Sequence, residues 1–184
     1  MNFMKHSELL GKHAFLGASN YHWINYSEDK LAESYRRKLA TLHGTELHEF
    51  AAQCIRLGQN LPNKKLTLNM YVNDAIGFHM TPEQPLYFSE NCFGTADAIS
   101  FRDSQLRVHD LKTGSVPASM NQTFIYTALF CLEYRVKPND IYMENRIYQS
   151  DDILIANPEP EAIMYIMERI KTFDKIINHI KLEE

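Results

Sequence analysis

The sequence predicts an α+β domain, a central mixed β-sheet of four to five strands flanked by helices. Two patterns carry that class. Helical spacing of apolar residues dominates the chain before Pro85 and returns after Pro158. Between them, three strand-like runs follow one another from Leu86 to Leu111, then a helix, then one or two further runs. A sheet clad by helices on both faces is the economical way to bury such a set.

Each element has a local reason. Residues 1–27 are rich in aromatics and His (Phe15, Tyr21, His22, Trp23, Tyr26), which predicts an extension packed on the core of a single domain spanning residues 1–184. Ser27 followed by Glu28 and Asp29 is an N-cap with acidic first-turn residues, opening a helix to about Ala40. A second helix is expected from Gly44 or Thr45 to about Leu57. Leu47, Ala51, Cys54 and Gly58 fall on one of its faces, with His48, Ala52 and Ile55 beside them. Within 67–79, Leu68, Val72 and Ile76 fit a helix. Leu86 to Ser89, Thr95 to Phe101 and Gln105 to Leu111 read as strands bounded by Pro85, Asn91 and an Asp103-Ser104 turn. Thr113-Gly114-Ser115 and Pro117 interrupt them, and Ala118 to Tyr134 is a helix with Phe124, Ala128 and Cys131 on one side. Asp140 to Tyr148 alternates as a fourth strand, Ile153 to Ala156 is a fifth, and Glu161 to Lys181 closes the chain as an amphipathic helix.

The 184 residues are about one domain's worth, and 45% apolar with 23% charged residues excludes a disordered chain. Nineteen Lys and Arg against 23 Asp and Glu leave a net charge of −4, the wrong sign for a protein that coats nucleic acid through a basic surface. An enzyme that touches a few phosphates stays open. No apolar run approaches the ~20 residues of a membrane span, and Met1 to Lys12 lacks the apolar stretch of a signal peptide. A cytoplasmic protein with no membrane partner is expected. Cys54, Cys92 and Cys131 are odd in number and far apart, so they form neither a disulfide framework nor a CxxC metal site; reduced, buried thiols are expected.

The chemistry concentrates between Gly94 and Gly114. With Asp103-Ser104 as a hairpin tip, Phe101 faces Leu106, Ile99 faces Val108, and Asp97 faces Asp110. The apolar pairs all point one way, which supports the register because a one-residue slip would turn them outward. Two carboxylates then stand ~5 Å apart, unfavourable unless a cation lies between them or one is protonated. Lys112 follows on the same strand face. Oxygen donors for Mg²⁺ or Mn²⁺ beside an ammonium are what phosphate chemistry requires, although an isolated DxK is usually a solvated strand end. Gln122 and Tyr126, one turn apart on the next helix, share a face that could reach the strand end; alone they would read as a half-buried Tyr with Gln at its edge. His48, within His43-Gly44-Thr45-Glu46-Leu47-His48, gains weight only if its helix runs beside the sheet.

Taken together, Gly44-Thr45-x-x-His48, Gly94-x-x-Asp97, Asp110-x-Lys112 with Gly114, and Gln122-x-x-x-Tyr126 resemble the PD-(D/E)XK nuclease superfamily, closest to its RecB-like branch. The resemblance covers about residues 43–150; the 67–103 stretch and compact length are similar to phage or prophage versions. It implies a restriction-endonuclease-like core. Asp97, Asp110, the Leu111 carbonyl and His48 would be metal ligands for Mg²⁺ or Mn²⁺. Lys112 would orient the attacking water, and Gln122 and Tyr126 would position Lys112 or a phosphate. Glu90 would be an outer acid, by spacing alone. An iron–sulfur cluster, found in some relatives, would need four Cys and is not expected.

The expected function is a metal-dependent deoxyribonuclease, an exonuclease more than an endonuclease, acting on single-stranded or duplex DNA ends in phage recombination or DNA processing. No partner domain is fused, so processivity would come from a homo-oligomer or a separate recombination protein. Arg36, Arg37 (with Lys38), Lys64 and Lys65 are candidate phosphate contacts, though solvated surface explains such runs more simply. Tyr21, Trp23 and Tyr26 are candidate base-stacking groups under the same reservation. The rival expectations are an inactive member that binds nucleic acid or protein, and a metal-binding regulatory or phage inhibitor module on the same scaffold.

Overall fold

A computed structural model describes residues 4–183. The chain divides into two compact units, one reaching His43 and the other running from Gly44. Their boundary falls inside α1 (Glu28–Leu57).

In the first unit, two 3₁₀ segments, Ser7–Leu9 and Ala18–Asn25, precede α1. Trp23 Nε1 donates to the Gly17 carbonyl at 3.0 Å, and Phe15 meets Tyr35 edge-on at 5.0 Å. Ser27 Oγ accepts from the Lys30 N–H at 3.3 Å, the cap expected at that position. The expectation of two helices is corrected: α1 is one helix of 30 residues. Gly44 lowers local helix propensity by about 1 kcal/mol, too little to break a long helix. Its reason is space, since a Cβ there would lie 2.8 Å from Thr113 Oγ1. Gly58 (φ 63) ends α1, with Gln59 N–H on the Cys54 carbonyl and Gly58 N–H on that of Ile55, a Schellman cap.

The second unit is α+β. Five strands, β1 (Thr81–Ser89), β2 (Cys92–Arg102), β3 (Gln105–Leu111), β4 (Tyr142–Gln149) and β5 (Asp152–Ala156), lie in the order β1-β2-β3-β4-β5. All pairs are antiparallel except β3 with β4. That parallel pair is joined through α3 (Asn121–Glu133), as it must be, because a tight hairpin cannot return a chain in the same direction. The β2–β3 and β4–β5 turns hold Asp103-Ser104 and Ser150-Asp151, all at positive φ, the twist that two-residue hairpins select.

Helices cover both faces. The C-terminal part of α1 and α2 (Thr67–Gly77) supply Ala51, Cys54, Ile55, Tyr71, Val72 and Ala75 to a core against Ala98, Leu111 and Tyr148. On the opposite face, α3 and α4 (Pro160–Glu183) bring Ala128, Leu129, Cys131 and Ile163 onto Ile99, Leu106, Val108 and Met143. Cys54 and Cys131 are buried as expected, whereas Cys92, near a strand end, is half-buried. Among the described residues, no helix is long and apolar enough to cross a membrane.

One buried polar group shapes the α2 side. Tyr148 Oη donates its only proton to Asp74 Oδ2 at 2.7 Å, so at its 3.2 Å contact with His109 Nδ1 the imidazole must be the donor. Nε2 is buried with no acceptor for a proton, so the imidazole is neutral and its lone pair lies there. Burial, aided by Arg146 and Arg107, pushes its pKa down to about 3.

Candidate active site

The expected hairpin register holds: Phe101 pairs with Leu106, Ile99 with Val108, and Ala98 with His109. There the ladder stops, one residue short of Asp97 and Asp110. The Leu111 N–H donates at 2.8 Å to Asp97 Oδ2, so a side chain replaces a ladder bond where the strands part.

A third acid stands on the other side of Asp97. The β1–β2 register joins Pro82 to Ala98 and Gln84 to Ala96, which sets Glu83 across from Asp97. Glu83 has φ 51, and Ala96 and Ala98, two apart on one strand, belong to opposite cores. Regular alternation therefore slips at this point. The slip turns Asp97 toward α1, where His48 Nδ1 lies 3.4 Å from its Oδ2. One donor atom each from His48, Glu83 and Asp97 lie within 4.8 Å of one another.

Electrostatics mark the cluster as acid-rich. Its hydrogen bond to Asp97 holds the His48 pKa above the usual range against the opposing effect of burial, with further help from Glu83 and Asp110. Burial raises the Glu83 carboxyl, and Asp97 raises it further. Asp110, its side chain 1% exposed, is raised by burial and by Asp97 while Lys112 pulls the other way. Asp110 Oδ2 lies 2.9 Å from Lys112 Nζ, yet it accepts no hydrogen bond of sound geometry and stays an unsatisfied buried oxygen. Imidazole and carboxylate donors crowded together, with negative charge in excess, fit a hard divalent cation.

The lysine side is built as a relay. Lys112 Nζ donates to Asp110 Oδ1 at 3.1 Å and to Gln122 Oε1 at 2.7 Å. Gln122 Nε2 in turn donates to Tyr126 Oη at 3.0 Å. The Lys112 N–H is fixed at 2.9 Å on the Tyr148 carbonyl. Gly94 allows a close approach, since a Cβ there would sit 3.0 Å from Tyr126 Cε1. The structure thus brings together seven of the residues that the sequence singled out: His48, Asp97, Asp110, Leu111, Lys112, Gln122 and Tyr126.

Other expected residues lie elsewhere. Glu90 occupies the exposed β1–β2 turn, about 23 Å of strand from Glu83 at ~3.3 Å per residue, so Glu83 is the acid at the cluster. Sequence reasoning missed Glu83 because Pro82 and Pro85 flank it and the strand was expected to begin at Leu86. Extending the β1–β2 pairing would have been the signal. Arg36 and Arg37 are exposed on α1 in the first unit, Arg37 lying 3.6 Å from Glu33. Lys64 and Lys65 are exposed on the α1–α2 loop. Tyr21 is 63% exposed, Trp23 is tied to Gly17, and Tyr26 lies under Lys30 Nζ at 4.5 Å.

No protein-family model, curated protein or solved structure matches the chain.

Proposed function

We propose that this protein is a divalent-metal-dependent deoxyribonuclease of the PD-(D/E)XK type that hydrolyses phosphodiester bonds at DNA ends. The observation that carries the reading is the convergence of His48, Glu83 and Asp97, joined through the Leu111 N–H on Asp97 to the strand end that holds the buried Asp110 and its immobilised partner Lys112. His48, Glu83, Asp97 and Asp110, with the Leu111 carbonyl, would hold Mg²⁺ or Mn²⁺. Such a cation, when bound, supplies a lowered water pKa and neutralisation of phosphate charge.

Lys112 does the rest of the electrostatic work. Asp110 and Gln122 hold its ammonium from two sides, so a flexible four-carbon stem presents a fixed charge. A positioned ammonium stabilises the negative charge that builds on phosphate oxygens more than it stabilises the ground state. Tyr126, through Gln122, positions Lys112 rather than touching it. Preference for ends over internal sites follows from the RecB-like motif set, and host cytoplasm is the compartment that the reading implies. A homo-oligomer or a recombination protein would supply processivity.

The test is incubation of the full chain with labelled single- and double-stranded DNA, linear and circular, with Mn²⁺, Mg²⁺ or EDTA. Degradation of linear DNA that EDTA and Asp110→Ala abolish, with circles spared, is the expected result. Intact DNA in every condition beside an active control overturns the reading in favour of a non-cutting module.

A further inference from the structure

Beyond the cluster, the β1–β2 ribbon carries a continuous exposed track. Tyr87 pairs with Phe93 and Pro85 with Thr95, and the next position of the same parity is Glu83 with Asp97. Tyr87 is 51% and Phe93 68% exposed, and Pro85 and Thr95 are exposed as well. The opposite side of this ribbon is occupied, since Leu86 and Ala96 are in the α3-side core and Gly94 lies against Tyr126. Two large rings thus stand in solvent on the one bare face of a ribbon whose other end is the carboxylate cluster.

We propose that Phe93 and Tyr87 form a base-stacking platform for the single-stranded end of a DNA substrate whose phosphate lies at the Asp97–Lys112 site. This rests on the nuclease reading and names its substrate as single-stranded. Four features select that occupant. Phe93 is four residues from Asp97, about 13 Å along the strand, or about four nucleotides at the ~3.4 Å rise of a stacked strand. A polypeptide adding itself to the sheet is disfavoured, because β1 is an edge strand blunted by Pro82 and Pro85, and its Tyr87 N–H is already taken at 2.9 Å by Glu133 Oε2. Duplex bases cannot use the rings, since their faces are already stacked on one another, whereas each unpaired base offers a free π-face. Positive charge stands at the cluster end of the path, with Arg56 close enough to Glu83 to influence its carboxyl and Lys112 at the site.

The experiment uses the full chain in a Lys112→Ala background with Mg²⁺. Fluorescence anisotropy reads binding of a labelled oligothymidylate, the same oligomer carrying abasic sites, and a blunt duplex. Phe93→Ala should weaken binding to the oligothymidylate roughly 5- to 150-fold, the span of one lost stacking contact. Phe93→Trp should retain binding, the abasic oligomer should bind both weakly and without regard to residue 93, and the duplex should be indifferent to it. Unchanged thermal unfolding of Phe93→Ala, expected for an exposed ring, keeps the comparison clean. Equal oligothymidylate binding by the parent and Phe93→Ala overturns the platform, as does an unmodified parent that binds no single strand. A Phe93→Ala effect on oligomeric mass without one on DNA binding overturns it in favour of a protein interface. Nuclease activity of the native chain is scored separately: cutting with no Phe93 effect leaves the nuclease reading standing and removes the platform alone, and Phe93-dependent binding without cutting does the reverse.

Discussion

Mild acid should weaken this fold at His109. The side chain is fully buried and neutral, with a pKa pushed down to about 3, against an ordinary value of about 6.5 in the unfolded chain. Because the folded pKa is the lower one, this stability is fully present above about pH 6.5 and is lost as pH falls. By about pH 5 the unfolded chain holds nearly a full proton at this position and the folded chain almost none, which removes about 2 kcal/mol relative to pH 8. Glu83, Asp110 and His48 have raised folded pKa values, so each adds stability as pH falls and masks part of the loss. The comparison that isolates His109 is therefore wild type against His109→Gln, which keeps a hydrogen-bonding group for Tyr148. In urea unfolding, the wild-type advantage should shrink between about pH 8 and pH 5 by about 2 kcal/mol, near 1 M in midpoint for a slope of ~2 kcal/mol/M. A difference that stays flat over that range would show that residue 109 titrates like a solvated imidazole, and the buried neutral histidine would be refuted.

Three further outcomes are expected. Mg²⁺ or Mn²⁺ should raise the thermal unfolding temperature in scanning calorimetry, by the equivalent of ~3 kcal/mol at 100-fold excess over its dissociation constant; EDTA should reverse the shift, and Asp97→Asn or Glu83→Gln should abolish it. Gln122→Leu releases one side of the Lys112 ammonium and should lower turnover on linear DNA about 100-fold, the penalty of a displaced catalytic group, with unchanged calorimetric stability. Gly44→Ala should destabilise the wild type by setting a Cβ 2.8 Å from Thr113 Oγ1. In a Thr113→Ala background the same change should instead stabilise by about 1 kcal/mol, as helix propensity dictates, and an equal effect in both would show that the close approach is absent.

The legible parts of the sequence were those governed by short-range rules. Alternation and the Asp103-Ser104 turn gave the β2–β3 register from Arg102–Gln105 to Ala98–His109, whereas the parting of the strands one pair before Asp97 and Asp110 was not legible. The i, i+4 spacing of Gln122 and Tyr126 foretold a shared face that reaches Lys112. What escaped depends on tertiary context. Gly44 reads locally as a helix boundary, but its role is set by Thr113, far along the chain. Glu83 lies between prolines that an edge strand tolerates and a central strand does not. His48 was legible as a candidate through the motif order, and its approach to Asp97 needed α1 packed on the sheet.

The sheet order repeats the chain order from β1 to β5. Neighbouring strands are thus successive in sequence, and the antiparallel β1–β2, β2–β3 and β4–β5 pairs, closed by tight turns, carry a low loop-closure cost. Glu83, Asp97, Asp110, Lys112, Gln122 and Tyr126 all lie on that meander and its crossover helix, so the acid and lysine halves of the site can form from contacts near in sequence. His48 alone arrives from α1. The folding transition state should therefore contain the carboxylate ladder before it contains the histidine, and low φ-values in α1 beside higher ones in the β2–β3 hairpin would record that order.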